Sequence, residues 1–483
     1  MIGRKALIAL AAAVVVAALP ASSGAQPPPC TSTVCGTTTD GGQWIADFPS
    51  PISSWNGTLL LYSHGFGPPV AADAPDPNTK AALLARGYAL AGSSYDPNGS
   101  WWALDSALSD QFQTLTAVEK LLPRAPTHVF AVGTSMGGLI SALEDEHSRG
   151  RLQAALTTCG IVAGAVQLNN YQLDGEYAMS QLLGAGQNLK LVGYSSPGDG
   201  LTTAYALDAL AEQAQSTAAG RARLALAMSL MNVATWPVGQ PMPAPRDYGA
   251  QEQGQYAIEF GNKAGGTSPI QTTMDFVEFG RYYIELAAGG NAAWTKNVNF
   301  GRLLAESPYA PEIISLYRQA GLNLRADLEN LTRNANITAD PAAVRSLTQT
   351  SVPTGRLQVP ELDMHTISDQ LVPVQQENYY RHMVAFADRS DLLRQAFVER
   401  QLHCNFTPSE LVAGVQAIQQ RVQTGHWDHL ADPSALNAAA NATGLGAFGA
   451  PAFIPYEPAR LSGDNGPFDP FTGGSFPFPF GRW

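Results

Sequence analysis

The sequence predicts an α/β fold with a mostly parallel central sheet and a large, mainly helical cap inserted into it. Near both ends of the chain, short apolar and β-branched runs alternate with helical patterns, as expected of parallel strands joined by helices. Between residues 161 and 350 the strand patterns give way to helical stretches, such as 204–211 and 221–231. Because the chain then returns to the same sheet, we interpret the insertion as a cap over the strand ends; a second, independent domain is the alternative.

Composition supports a large buried core. The 483 residues are 45% hydrophobic and only 14% charged, which is typical of a globular protein with much buried surface. The formal charge of −12 argues against nucleic acid as a partner. The predicted parts are an export signal at 1–25, a first core part at 26–160, the cap at 161–350, and a second core part at 351–483 that ends in a tail rich in Pro, Gly and Phe.

Residues 1–25 are typical of a secretory signal peptide. A basic start precedes the apolar run 6–19, and Ser23, Gly24 and Ala25 supply small residues for cleavage. The apolar run is too short to cross a bilayer, which takes about 20 residues. We therefore expect a secreted protein without a stable membrane anchor. The sequence does not indicate an oligomeric state.

The first strand with a functional signal is the run 56–63, which ends in His64-Gly65-Phe66-Gly67. Glycines at this point let the chain fold back, so that the Phe66 N–H can stabilise a developing oxyanion. We expect His64 to be structural. An ordinary strand-to-loop turn is the alternative.

The next strand-like run, 87–94, leads into a loop that carries three large aromatic residues. These are Tyr95, Trp101 and Trp102. Aromatic side chains in such a loop are equally compatible with a substrate pocket and with the hydrophobic core.

A serine between glycines follows the third strand-like run, 128–132. The stretch 133–137 reads Gly-Thr-Ser-Met-Gly, and residues 139–147 have a helical pattern. Strand, sharp glycine turn and helix together are typical of a nucleophile elbow, which lifts a serine hydroxyl clear of the sheet. Ser135 is therefore the predicted nucleophile and the Met136 N–H the second oxyanion donor. A glycine-rich turn with a bystander serine is the alternative.

A serine hydroxyl needs a base to take its proton and an acid to orient that base, and in this architecture the acid comes first along the chain. Asp369 lies at the end of the alternating run 359–368, whereas the competing Asp363 lies inside it. The alternative for Asp369 is an ordinary turn aspartate. His403 follows the strand-like run 392–400 and is the predicted base.

Two other histidines, His426 and His429, are weaker candidates. A Gly-His pair marks the base in many hydrolases, and His-x-x-His can bind metal. However, a helical pattern that begins with a capping box at Thr407 precedes them, and no Cys or carboxylate cluster completes a ligand set. We predict no metal and no cofactor.

By its glycine loop at 64–67, its elbow at 133–137, Asp369 and His403, the chain resembles the α/β-hydrolase superfamily of serine hydrolases. The resemblance covers both ends of the chain and leaves out the middle. Leu402 stands where a glycine usually precedes the histidine. The resemblance implies acyl chemistry through an acyl-enzyme, and we expect small-molecule or polymeric carboxylic esters as substrates. Peptide or amide hydrolysis, acyl transfer to another acceptor, and a non-catalytic binding role are the alternatives.

An exported protein can form disulfides, and four cysteines allow three pairings. Cys30 and Cys35 are close enough in sequence to pair locally. Cys159 ends the strand-like run after the elbow helix, and Cys404 directly follows the predicted base. Because parallel strands end on the same side of a sheet, we predict a Cys159–Cys404 bridge that fixes the histidine loop. Secreted feruloyl esterases and tannases are similar in having a cysteine beside the histidine, but in them its partner neighbours the serine.

Overall fold

The computed structural model describes residues 34–184, 186–261 and 268–463. The predicted signal peptide and Cys30 lie outside these residues. The described chain contains one sheet whose strands follow in the order β1-β2-β4-β3-β5-β6-β7-β8-β9. They are β1 Val34–Thr37, β2 Gln43–Asp47, β3 Thr58–Ser63, β4 Ala89–Ser93, β5 His128–Thr134, β6 Ala154–Thr158, β7 Glu361–Ser368, β8 Leu393–Gln401 and β9 Phe453–Ile454.

Helices connect these strands, and most of them lie between β6 and β7. In chain order they are α1 Pro77–Ala85, α2 Leu104–Glu119, α3 Met136–Glu146, α4 Ala165–Leu182, α5 Pro197–Ala214, α6 Ala218–Leu230, α7 Tyr248–Tyr256, α8 Thr273–Ala288, α9 Phe300–Glu306, α10 Ala310–Gln319, α11 Leu324–Asn334, α12 Pro341–Thr350, α13 Gln375–Phe386, α14 Pro408–Thr424 and α15 Pro433–Ala442. Helices α4 to α12 make up the inserted helical part, here called the cap. None of the described helices combines the length and the apolar character that a membrane crossing requires.

The six central strands, from β4 to β8 in the sheet order, pair in parallel, and antiparallel strands close both edges. The strand order reverses between β3 and β5, because β4 lies on one side of β3 and the later strands on the other. In open α/β sheets, ligands bind outside the carboxyl ends of the strands at such a reversal. The observed topology confirms the predicted α/β-hydrolase fold, with its mostly parallel sheet and large helical insertion.

Alternation along β3 distributes its side chains between two cores. Leu60 packs on the side of the sheet that α14 covers, and Leu59 packs on the side of α2. Both faces of the parallel strands are therefore buried, which is why these strands read as continuous apolar runs. The predicted capping box at the start of α14 is confirmed, since the Thr407 hydroxyl and the Glu410 carboxylate each cap the other's backbone N–H.

Helix α8 is fixed in the cap by a buried ionic network. The Arg281 guanidinium donates to Glu176 of α4 at 2.6 Å and to Glu278 at 3.2 Å, and all three side chains are buried. Tyr194 adds a hydrogen bond of 2.8 Å to Glu278. A buried charge is tolerated only when it is paired and hydrogen-bonded, so the bond from Arg281 to Glu176 fixes α8 against α4.

The described part of the C-terminal tail contacts both the core and the cap. Its strand β9 pairs with β8, and the Pro458 carbonyl accepts a hydrogen bond from Asn378 of α13. Further on, Asn232 of the cap exchanges two hydrogen bonds with the backbone of Ser462, at 2.7 and 2.9 Å. The tail thus joins the two parts of the molecule in an extended conformation.

A buried carboxyl in the cap makes stability depend on pH. Glu312 of α10 is 2% exposed, and neither of its oxygens has a hydrogen-bond partner among the described residues. Burial, with Glu252 nearby, raises the pKa of Glu312 to about 8 from its ordinary 4.5. The unfolded chain therefore releases this proton at lower pH than the folded protein, and stability falls as pH rises from about 4.5 through about 8. We expect Glu312→Gln to melt close to wild type at pH 4.5 and above it at pH 9.

Thermal unfolding of both proteins across this pH range measures the effect. Glu399→Gln on the exposed side of β8 is the matched control, and its melting curve should follow wild type throughout. A constant difference between Glu312→Gln and wild type at all pH values would contradict the assignment.

Candidate active site

The predicted site residues directly follow parallel strands, and these strands end in two matched pairs, β5 with β6 and β7 with β8, the second pair reaching beyond the end of β6 because Met364, and not Ser368, lies opposite Thr158. Thr134 of β5 lies opposite Thr158 of β6, and Ser368 of β7 lies opposite Gln401 of β8. The loops that begin there therefore share one edge of the sheet. The residues in these loops are Ser135, Cys159, Asp369 and, after Leu402, His403.

The turn at Ser135 has the strained backbone of a nucleophile elbow. Ser135 has φ 63° and ψ −124° and is followed at once by α3. A side chain on Gly137 would overlap the carbonyl of Ser63, so glycine is required where the helix leaves the sheet. The Ser135 N–H donates to the Thr158 carbonyl at 3.0 Å, which fixes the turn against β6. Such strain is typically stored at functional sites.

Ser135, His403 and Asp369 form a continuous hydrogen-bonded chain. His403 Nε2 lies 2.7 Å from Ser135 Oγ, and His403 Nδ1 lies 2.7 Å from Asp369 Oδ2. The side chain of His403 is 16% exposed, whereas that of Asp369 is fully buried. This arrangement allows the imidazole to take the serine proton while the aspartate fixes its tautomer.

Asp369 is held as a carboxylate by its surroundings. Its Oδ1 accepts hydrogen bonds from the Leu371 and Val372 N–H groups, both at 2.9 Å. Burial by itself would raise the pKa of Asp369, but the neighbouring imidazoles of His403 and His365 and the backbone donors outweigh it, and the pKa lies below its ordinary value. An ionised Asp369 can orient His403 and stabilise the imidazolium that forms when the serine is deprotonated.

The predicted bridge between Cys159 and Cys404 is present, with a Cα–Cα distance of 5.4 Å. It joins the end of β6 to the residue after His403. Leu402 and Cys404 have φ values of 79° and 53°, so the histidine stands between two left-handed residues. Glycine is the residue that adopts this conformation without strain, which explains why Leu402 is an unusual choice. The bridge therefore stabilises a loop whose left-handed backbone conformation is unfavourable for its non-glycine residues.

The glycine loop after β3 lies against the nucleophile. A Cβ on Gly65 would lie 3.1 Å from Ser135 Cβ. The backbone at Gly65 is therefore close to the elbow, and the N–H of the next residue, Phe66, starts from this position. Met136 is the first residue of α3, and the first N–H groups of a helix have no acceptor within it. Both predicted oxyanion donors thus belong to segments that meet at Ser135.

His64 has the structural position that the sequence predicts. Its Nδ1 lies 2.8 Å from the Gly65 carbonyl oxygen, and its ring stacks on Tyr95 at 4.3 Å. The Tyr95 hydroxyl donates to the His64 carbonyl at 3.1 Å. Burial lowers the pKa of His64. A neutral His64 therefore supports the glycine loop from behind.

For Tyr95 and Trp102, the sequence left a substrate pocket and the hydrophobic core equally open, and the structure places both in the core. Tyr95 is 1% exposed and Trp102 is 2% exposed, and Trp102 Nε1 donates to Ser351 Oγ at 3.1 Å at the base of the cap. Neither presents a surface to a ligand. Trp101 remains half-buried and stacks on Tyr283 of α8, with ring centroids 4.8 Å apart.

Trp101 belongs to a cluster of half-buried rings between the glycine loop and the cap. Phe66 makes edge contacts with three of these rings, at centroid distances of 5.6 to 5.8 Å. The cap members lie on one face of α8, three or four residues apart. The aromatic cluster consists of Phe66, Trp101, Phe276, Phe279 and Tyr283. The α8 members gave no recognisable sequence motif, because nothing local indicates which helix face meets the core.

The competing candidates lie elsewhere. Asp363 is buried inside β7, and burial with the neighbouring Glu377 raises its pKa well above the ordinary value. His426 is exposed, and His429 pairs with Asp432 on the surface beyond α14. Cys35 lies on β1 and is disulfide-bonded, but the predicted pairing with Cys30 falls outside the described residues.

One buried group near the site was not predicted. His365 and Glu377 form a hydrogen-bonded pair behind Asp369. The available signal was the alternation of Glu361, Asp363 and His365 with the apolar Leu362 and Met364, since alternate residues lie on one face of a strand.

Strand order, elbow and strand-end loops together identify the α/β-hydrolase fold. No protein-family model matches the chain. It is 26% identical over 444 residues to an o-phthalyl amidase from Xanthobacter agilis, covering 85% of this chain and 91% of the relative.

Two similar solved structures are more distant. A feruloyl esterase B from Aspergillus oryzae has a TM-score of 0.40 and 13% identity, with 81% of this chain and 80% of that chain covered. An acylaminoacyl peptidase from Pyrococcus horikoshii has a TM-score of 0.34 and 8% identity, with 87% of this chain covered. The chain spans 41% of the length of that peptidase.

Removing the Cys159–Cys404 bridge should impair both activity and stability. Without it, the left-handed residues around His403 can relax, and a displacement of about 1 Å from productive geometry can cost on the order of 100-fold in rate. We expect the double variant Cys159→Ser, Cys404→Ser to lose at least about tenfold in kcat for an ester substrate. The bridge spans 245 residues, and loops of this length contribute up to about 5 kcal/mol in the chain-entropy estimate.

Steady-state kinetics and denaturant unfolding measure the two effects. The double variant Cys30→Ser, Cys35→Ser is the matched control, because it changes the same number of cysteines far along the chain from the site; its kcat should stay close to wild type. Wild-type kcat in the Cys159, Cys404 variant would refute a role of the bridge in fixing His403.

Proposed function

We propose that this chain is a secreted serine hydrolase that cleaves carboxylic esters through an acyl-enzyme. The observation that carries the proposal is the hydrogen-bonded chain Ser135–His403–Asp369, with 2.7 Å at both links. Its position at the strand ends beside the reversal of strand order supports it, because this is where α/β proteins bind ligands. The strained elbow, the ionised acid and the glycine loop favour an active enzyme over a binding protein on the same scaffold.

In this proposal each residue has one role. Ser135 Oγ attacks the ester carbonyl carbon while His403 Nε2 takes its proton, and Asp369 stabilises the imidazolium. The carbonyl oxygen becomes negative and accepts hydrogen bonds from the Phe66 and Met136 N–H groups. The C–O bond to the alcohol then breaks, and His403 returns the proton to the leaving oxygen. Water repeats the sequence on the acyl-enzyme and releases the acid.

Amide hydrolysis is the second candidate. It uses the same steps, with His403 protonating a leaving nitrogen instead of oxygen. The observation that favours it is the 26% identity, across most of both chains, to an o-phthalyl amidase. An enzyme that accepts an amide generally also accepts the corresponding ester, because the ester has the better leaving group.

We infer an aromatic acyl group in the substrate. The aromatic cluster joins the glycine loop beside Ser135 to helix α8 of the cap, and its rings are only half-buried. Trp101 stacks on Tyr283, and Phe66 contacts both. Aromatic rings favour edge and stacked contacts with one another, so these side chains suit an aryl group attached to the reacting carbonyl.

Export from the cytoplasm is part of the proposal. It rests on the signal-like residues 1–25, which lie outside the described residues, and on the Cys159–Cys404 bridge, since structural disulfides persist in oxidising compartments.

Replacing the nucleophile should abolish turnover. We expect Ser135→Ala to lose at least about 1000-fold in kcat for p-nitrophenyl esters, since removal of the nucleophile eliminates the acyl-enzyme route. Release of p-nitrophenol measures this, and a fluorophosphonate probe should label wild type but not the variant. Ser109→Ala, on the exposed side of α2, is the control and should keep full activity. Equal turnover in Ser135→Ala and wild type would refute the proposal.

Truncating the aromatic cluster should change acyl preference. We expect Phe276→Ala to lower kcat/KM for a benzoyl ester by roughly tenfold, because aromatic contacts contribute about 1 kcal/mol beyond the area that they bury, with little effect on an acetyl ester. Parallel assays of the two esters measure the ratio. Tyr205→Ala, exposed on α5, is the control and should keep the wild-type ratio. An equal loss with both esters would contradict an aryl-binding role.

A further inference from the structure

A second histidine lies directly behind the acid of the candidate site. His365 is fully buried on β7, and its Nε2 lies 3.7 Å from Asp369 Oδ2, the oxygen that also contacts His403. The mechanism described above does not use His365. A buried imidazole beside a buried carboxylate requires a physical explanation.

Each ring nitrogen of His365 lies within hydrogen-bonding distance of an oxygen atom. Nε2 lies 2.8 Å from the Val372 carbonyl oxygen, and Nδ1 lies 2.6 Å from Glu377 Oε1. A carbonyl can only accept, so Nε2 carries a hydrogen and donates it to Val372. One further proton must then lie between Nδ1 and the carboxyl of Glu377, whichever of the two holds it.

The Val372 carbonyl connects His365 to the acid. The N–H of the same residue donates to Asp369 Oδ1 at 2.9 Å, and the neighbouring Leu371 N–H does likewise. The turn that holds Asp369 is therefore fastened on its other side to His365. Displacement of this turn would move Asp369 Oδ2 away from His403 Nδ1.

Glu377, in the first turn of α13, is itself fixed. Gln395 Nε2 of β8 donates to Glu377 Oε2 at 2.8 Å, which leaves Oε1 for His365. The ionisable groups that face the pair are Asp369 and His403 at the site, and Glu361 and Asp363 along β7. Burial raises the pKa of Glu377 to about 7, consistent with a proton retained between the two side chains.

We propose that His365 is a positioning residue, which holds the Asp369 turn through the Val372 carbonyl and is itself set in the required tautomer by Glu377. The inference rests on the proposed function, because it assigns His365 to the support of the Ser135–His403–Asp369 chain. The full path runs from α13 to the nucleophile through hydrogen bonds of 2.6 to 2.9 Å.

Two amide variants separate the two hydrogen bonds of His365. The Nε2 of glutamine is as many bonds from Cα as the Nε2 of histidine, so His365→Gln keeps a donor for Val372 and loses the contact with Glu377. Asparagine places its amide at the level of Nδ1, so His365→Asn keeps the contact with Glu377 and loses the donor for Val372. Each variant deletes one hydrogen bond, so their stabilities should be similar.

Steady-state kinetics with a p-nitrophenyl ester tests the proposal. We expect His365→Asn to lower kcat on the order of 10- to 100-fold with KM within about twofold, as misplacement of a catalytic group costs rate rather than binding. His365→Gln should keep kcat within about threefold of wild type. Wild-type kcat in His365→Asn, or equal losses in the two variants, would overturn the proposal.

Variants of Glu377 test the tautomer. Glu377→Gln retains a partner at Nδ1 and should keep wild-type kcat, whereas Glu377→Leu leaves Nδ1 free to take the hydrogen and should lower kcat without changing KM. Equal kcat in these two variants would refute the role of Glu377. Ser135→Ala is assayed alongside: if it stays active, the proposed function fails, and if it is inactive while His365→Asn is not impaired, only the positioning role fails.

Discussion

The parallel pairing of the central strands is the constraint on which the candidate site depends. Because β5, β6, β7 and β8 pair in parallel, the residues after Thr134, Thr158, Ser368 and Gln401 all emerge at the carboxyl edge of the sheet, where β7 and β8 reach beyond the end of β6. Ser135 and His403 therefore lie within hydrogen-bonding distance although more than 200 residues separate them in the sequence. Pairing with β6 and β8 fixes the position of β7, and the chain segment that connects β6 to β7 does not. The cap can therefore be inserted into that segment without moving the end of β7.

The loops at this edge carry a large share of the backbone strain of the described chain. Five of the ten non-glycine residues with positive φ lie there, and they are Tyr95, Ser135, Cys159, Leu402 and Cys404. Each costs on the order of 1 kcal/mol or more, and such conformations persist only where the surroundings over-determine them. Here the determinants are β-sheet pairing on one side, and the disulfide and the Asp369 hydrogen bonds on the other. The fold thus supplies the free energy that keeps the site in one geometry.

The sequence predicts the sheet core and the elbow well because their signals are local. An apolar run followed by Gly-Thr-Ser-Met-Gly specifies a strand and its turn, and the strand ends at Asp369 and Cys159 follow from the same kind of pattern. What it does not predict depends on packing between distant segments. Tyr95 and Trp102 belong to a loop rich in aromatic residues but are buried, and the aromatic face of α8 lies near the candidate site only through its contact with Phe66. His365 could have been found from the alternation along β7, but its partner Glu377 could not, because β7 and α13 meet only in the folded chain.

The core and the cap have different roles in the proposed reaction. In the proposed mechanism, every group that moves a proton or stabilises charge belongs to the core, in loops that directly follow its strands. Esters and amides require the same groups, and they differ in whether His403 can deliver its proton to an oxygen or a nitrogen before the intermediate reverts. In the proposed mechanism that choice depends on how the acyl and leaving groups are oriented above Ser135, and therefore on side chains such as Phe276 and Tyr283, which α8 places against Phe66. Because Arg281 anchors α8 to α4 through the buried carboxylate of Glu176, the surface that would orient a substrate is set by the packing of the cap rather than by the strands.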